Sequence, residues 1–246
     1  TNIIVNILLL VLSYYILKRE DIHLFSKDKM SFTWLKDLSK IGGISGLESF
    51  VRNSAFMLMI IRMVNVVGEQ GTFWVANNFI WGWLLLPVLQ LGELIKRDVG
   101  ENESAIKDKS IGYFAITTII VLVWAITIPL WIPFLRGVLQ LTNYQDVYFV
   151  VIISAGFYVL FAYNNVIDSI FYGIGKTKYM LFQSVVINTL FYGTAFILYA
   201  TGIYQPTLIR IALMFAIGIA FDSLLTYGMF FWMLKRRGIR LLSIKT

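Results

Sequence analysis

The stretch SGLESFVRNSAFMLMIIRMVNVVGEQG, residues 45–71, is apolar over a length that crosses a bilayer, yet Glu48, Arg52 and Arg62 stand inside it. About 20 mostly apolar residues span a hydrocarbon core of about 30 Å as a helix. At about 100° per residue, with Glu48 at the origin, Arg52 falls at about 40°, Met59 at about 20°, Arg62 at about −40° and Ser45 at about 60°. These positions form one stripe on a helix otherwise dominated by Phe, Met, Ile and Val. A charge at the bilayer centre costs at least about 2.5–3.5 kcal/mol on insertion scales, so such a stripe faces a bundle interior or a watery cavity. Structural readings stand beside that one. Glu48 and Arg52 are four apart and can pair, and Glu48 and Arg62 lie near helix ends where long side chains reach the head groups. Arg52 is the deepest. It either faces a functional cavity or serves only as the partner of Glu48.

The rest of the chain agrees with a membrane reading. Of 246 residues 58% are hydrophobic and only 14% charged, with mean hydropathy +0.74. Soluble domains carry roughly 25% charged residues. Apolar spans recur at 1–17, 44–67, 72–95, 111–134, 147–172, 179–202 and 207–234. If the intervening loops alternate between two sides, 17 of the 21 Lys and Arg fall on one side and Arg136 alone on the other. Lys and Arg accumulate in cytoplasmic loops. Seven crossings are therefore expected, with the start outside and the C-terminus cytoplasmic. The net charge of +7 reads as a topology signal, with anionic lipid as its contact and no nucleic acid.

Cysteine is absent and His23 is the sole histidine, which excludes disulfides and thiolate zinc sites and leaves no histidine triad. No GxSxG, HExxH or P-loop motif occurs. GIGKTK at 173–178 lacks the strand and helix of a phosphate loop and reads as a tight turn. No enzyme and no metal site is expected. The expected fold is all-α, a polytopic transmembrane bundle with one six-helix lobe over 44–234. Before it stand an apolar helix (1–17), read as the end of a longer one, and a linker (18–43); a basic tail follows (235–246). Within the linker, Phe32, Leu35, Leu38 and Ile41 recur at helical spacing, which predicts an interfacial helix over 31–43 or else a solvated connector. Gly42, Gly43 and Gly46 are expected to turn the chain into the membrane.

Other polar groups lie within the spans. Asn77, Asn164, Asn165, Gln183 and Asn188 can bond across helices or line a pocket. Asp168, Asp222 and Glu93 read first as helix-packing or loop-clamping acids. The candidate substrate cavity comprises Glu48, Arg52, Met59, Arg62, Asn77, Asn164, Asn165 and Asp168.

The stretches IGGISGLESFVRNSAFMLMIIRMVNVVGEQGTFWVANNFIWGWLLLPVLQLGELIKRDVGEN, FLRGVLQLTNYQDVYFVVIIS and FYGIGKTKYMLFQSVVINTLFYG are similar to the multidrug and toxic compound extrusion (MATE) family. They resemble its seventh and eighth helices, the outer loop before helix ten, and the turn joining helices ten and eleven. The resemblance implies a two-lobed, twelve-helix transporter of which this chain is the C-terminal lobe. It implies export of amphipathic organic compounds from the cell by alternating access, coupled to Na+ or H+, with an N-terminal lobe as partner. Two positions depart from the family pattern. Arg52 stands where many members carry an acid, and Asp168 lies two turns beyond the usual Asp, whose place is near Phe161. An arginine in the cavity favours an anionic head group, which makes a lipid-linked oligosaccharide flippase of the same superfamily the second expectation. A receptor or assembly subunit without transport is the third.

Overall fold

A computed structural model describes residues 2–20 and 32–239 of the chain. The chain divides into two units, Thr1–Leu38 and Ser39–Thr246. In the smaller unit, α1 (Asn2–Arg19) is an 18-residue helix, about 27 Å long at 1.5 Å per residue, whose apolar side chains are exposed.

The larger unit is an all-α membrane bundle. Five of its helices are long and apolar enough to cross a bilayer, and six spans result when one bent pair is counted as a single crossing. The first span begins with α2 (Leu35–Ala55), widens into a π turn at Phe56–Ile60 and finishes as α3 (Ile61–Asn65). The expected turn at the glycines is absent. Gly42, Gly43 and Gly46 lie inside continuous α-helix, with nothing near where their side chains would be. Interior glycine costs a helix about 1 kcal/mol relative to Ala, which weakens but does not break it. From Leu35 onward the expected interfacial helix is thus part of the same helix as the first span; residues 32–34 precede that helix, and residue 31 lies outside the described residues.

The second span, expected over 72–95, is broken. It comprises α4 (Gln70–Phe79), a π turn at Ile80–Leu84 and α5 (Leu86–Glu101), bent by 51°. Pro87 sits in the first turn of α5. It has no N–H to continue the ladder and its ring crowds the preceding turn, the usual cause of a kink. After the short α6 (Ala105–Asp108), the long α7 (Ser110–Pro133) and α8 (Tyr144–Gly173) follow. A π turn at Phe134–Val138 extends α7. The fifth span is α9 (Thr177–Val186), a π turn at Ile187–Tyr192 and α10 (Gly193–Ala200). The last is α11 (Leu208–Arg237), which starts at a Thr207 cap and stops at Gly238 in the left-handed conformation. Gly175, also at positive φ, makes the tight turn within GIGKTK.

The helix α8 is the hub, packed on α4, α5, α7 and α11. One apolar cluster joins α4, α5, α7 and α8 around Phe79, Leu85, Val88, Trp131 and Val151. A second closes one end around Ile95, Ile106, Phe171 and Phe230. Ile60, Met63, Phe73 and Ile211 form a third. The basic loops meet at the Phe171 end. There Arg237 donates to Glu103 at 2.9 Å, Lys109 to Asp98 at 2.8 Å, and Tyr113 to Asp98 at 2.6 Å.

Candidate polar site in the bundle

On α2 the covered face runs through Ile44, Glu48, Val51 and Ala55, an i, i+4, i+7, i+11 pattern. Continued at 3.6 residues per turn, it would next present Met59 and Arg62. The π turn inserts one extra residue. Ile60, Met63, Val64 and Val67 are buried instead, each about one position later than a uniform helix requires. Met59 is left half-buried and Arg62 exposed, with no ion pair among the described residues. The stripe therefore ends at Arg52. Glu48 and Arg52 still belong together; Met59 and Arg62 do not join them.

Glu48 is 4% exposed and holds three partners. Arg52 Nη1 lies 3.2 Å from its Oε1, while the Tyr172 hydroxyl (3.3 Å) and Ser49 Oγ (3.4 Å) donate to Oε2. The Arg52 side chain is 60% exposed. Tyr172 connects this pair to α8, where Asn164, Asp168 and Tyr172 follow at four-residue spacing on one face.

Buried Asn164 spends its N–H group on two carboxylates, Asp168 Oδ2 at 3.4 Å and Asp222 Oδ2 at 3.3 Å. Gln183, on α9, donates to Asp222 Oδ1 at 2.8 Å. Helices α8, α9 and α11 thus meet through a network in which acids accept and amides donate. The opposite atoms of the same groups are left over. Asn164 Oδ1, Asp168 Oδ1 and Gln183 Oε1 are buried without a hydrogen-bond partner, as are the hydroxyls of Ser169, Ser223 and Thr226. A buried polar atom without a partner costs about 1–3 kcal/mol, and native proteins hold few of them. All six belong to these three helices, although Ser169 Oγ lies against Gly92 of α5, and three are amide or carboxylate oxygens. The three acceptor oxygens suit an oxygen-liganded hard cation or a proton shared among the acids, while each hydroxyl still carries an O–H to donate. Among the described residues no group of three or more acids, His or Cys converges as a metal-binding set. A monovalent cation held by carboxylate and amide oxygens makes the smaller demand.

Of the eight expected cavity residues, Glu48, Arg52, Asn164 and Asp168 are thus brought together. Asn77 lies apart, accepting from the Tyr158 hydroxyl at 3.5 Å, while Trp81 Nε1 donates to that hydroxyl at 3.3 Å. Asn165 faces the opposite seam and donates to the Val88 carbonyl at 3.0 Å. Asp222, Gln183 and Tyr172 complete the network and were not in the expected set. The intramembrane acid is itself a signal for Asp222. Gln183 is marked as a polar group within a span, whereas Tyr172 carries no such mark.

Compared with protein-family models, curated proteins and solved structures, the chain finds no match.

Proposed function

We propose that this chain is the C-terminal lobe of a secondary active transporter of the MATE type. It expels amphipathic organic compounds across the cell membrane in exchange for Na+ or H+ moving inward. One observation supports the reading above all: buried acceptor oxygens without partners beside Asp168 and Asp222, inside an apolar bundle. Ionisable groups at that depth mark ion pathways and proton relays more often than packing. On this reading the cation binds between α8, α9 and α11. Glu48, tied to α8 through Tyr172, links that occupancy to the accessible side of α2. The basic end faces the cytoplasm, following the Lys and Arg bias of its loops.

The test uses the full-length protein reconstituted into liposomes with an imposed sodium or proton gradient. Asp222→Asn and Asp168→Asn should each abolish gradient-driven uptake of a fluorescent organic cation, while Arg62→Gln keeps it. Undiminished uptake by both acid variants overturns the reading.

The lipid-linked oligosaccharide flippase remains the second reading because the Arg52 guanidinium is largely exposed and available to a phosphate. It predicts that cells carrying Arg52→Ala accumulate lipid-linked intermediates without becoming drug-sensitive.

A further inference from the structure

At the basic end, the start of α9 and the end of α11 leave a cleft of about 340 Å3 lined by Lys176, Tyr179, Trp232, Met233, Arg236 and Arg237. Three cationic side chains converge there and no acid lines the cleft. Glu103 pairs with Arg237 alone. Lys176 and Arg236 have no acidic partner among the described residues. The walls are aromatic. The Arg236 guanidinium lies 5.3 Å from the Trp232 ring centre, and Tyr179 meets Trp232 edge to face at 6.4 Å. Tyr179 is braced from behind by Phe171, stacked at 4.9 Å.

Depth decides what such a cleft meets. From Leu208 to Trp232 the helix rises about 36 Å at 1.5 Å per residue, somewhat more than a hydrocarbon core of about 30 Å. Trp232 therefore stands at head-group level, where tryptophan and tyrosine are favoured, and Arg236 lies one turn beyond it. Like charges crowded without a counter-ion repel, and an anion relieves them. Basic pockets between membrane helices at this depth suit phosphate head groups. A free phosphate would need the cations but would gain nothing from the amphipathic wall.

We propose that this cleft holds the phosphodiester head group of an anionic lipid from the leaflet at the basic end. Lys176 and Arg236 supply the charge, with Trp232 and Tyr179 lying along the glycerol backbone. The site is separate from the acid network and stands whatever that network transports.

Native mass spectrometry of the full chain, titrated with phosphatidylglycerol or phosphatidylcholine, tests this. Phosphatidylglycerol should be retained preferentially, and Lys176→Gln/Arg236→Gln should weaken its retention about tenfold. Lys107→Gln/Lys178→Gln, an equal loss of charge at the same end but outside the cleft, should leave retention unchanged. Lys176→Arg/Arg236→Lys should also keep it, which separates loss of charge from loss of fold. Equal loss in both glutamine pairs, or no preference for phosphatidylglycerol, overturns the proposal. Displacement of the lipid by equimolar glycerol phosphate overturns it in favour of a free phosphate compound.

Discussion

Two neighbouring asparagines on α8 face seams of opposite character. Asn165 looks toward α5, where helix backbones come very close. A side-chain carbon on Gly92 would sit 2.6 Å from Asn165 Nδ2, and one on Gly173 would sit 2.8 Å from the Lys96 carbonyl oxygen. Asn165 completes that seam by donating to Val88. Asn164 looks toward α9 and α11, where the amide donors are spent on carboxylates and amide and carboxylate oxygens remain unmatched. The first seam is closed by packing, with the Ser169 hydroxyl left over beside Gly92. The second keeps acceptor oxygens that, on the proposed function, a cation or proton matches. Small residues and spent hydrogen bonds read as structure, whereas unsatisfied acids read as work.

The contrast can be broken most forcefully at Gly173. Gly173→Ala meets backbone rather than a flexible side chain and should destabilise the protein by about 2–3 kcal/mol, read as thermal unfolding in detergent. Asn165→Ala removes one interhelical bond and should cost about 0.6–1.7 kcal/mol by the same assay. Asp222→Asn should cost about 1 kcal/mol in the absence of sodium, because removing a buried charge offsets part of the loss when its amide N–H faces the Asn164 or Gln183 donor. Its signature is different: the wild type should gain thermal stability as sodium or proton concentration rises, and the variant should not. Equal salt response in both would erase the distinction between the seams. The smallest effect belongs to Arg62→Gln, exposed and without an ion pair, at within about 0.5 kcal/mol.

Much of the architecture is legible in the sequence because bilayer thickness imposes helix length. The spans at 111–134, 147–172, 179–202 and 207–234 correspond to helical runs at Ser110–Val138, Tyr144–Gly173, Thr177–Ala200 and Leu208–Arg237. The Glu48–Arg52 pair is legible as well, being set by spacing within one helix. What escapes is of two kinds. Asp222 meets Asn164 across 58 positions and Gln183 across 39, contacts that only the packing of α8, α9 and α11 creates. Arg62 escapes for a local reason: helical periodicity presumes a uniform turn, and the chain departs from it at Phe56–Ile60. Pro87 did signal the broken second span, but the apolar run around it continues through the break and conceals it.

The widened turn at Phe56–Ile60 also makes helix winding a control over surface character. If the segment relaxed to ordinary helical winding with no residue lost, everything from position 61 onward would swing by roughly a quarter revolution. Arg62 would then be carried inward and Met63 outward, with neither side chain itself altered. A single-codon deletion at this place would instead remove the inserted residue and leave the far half of the span facing as it does, so the wide turn itself, and no one side chain, holds the ionic group outward.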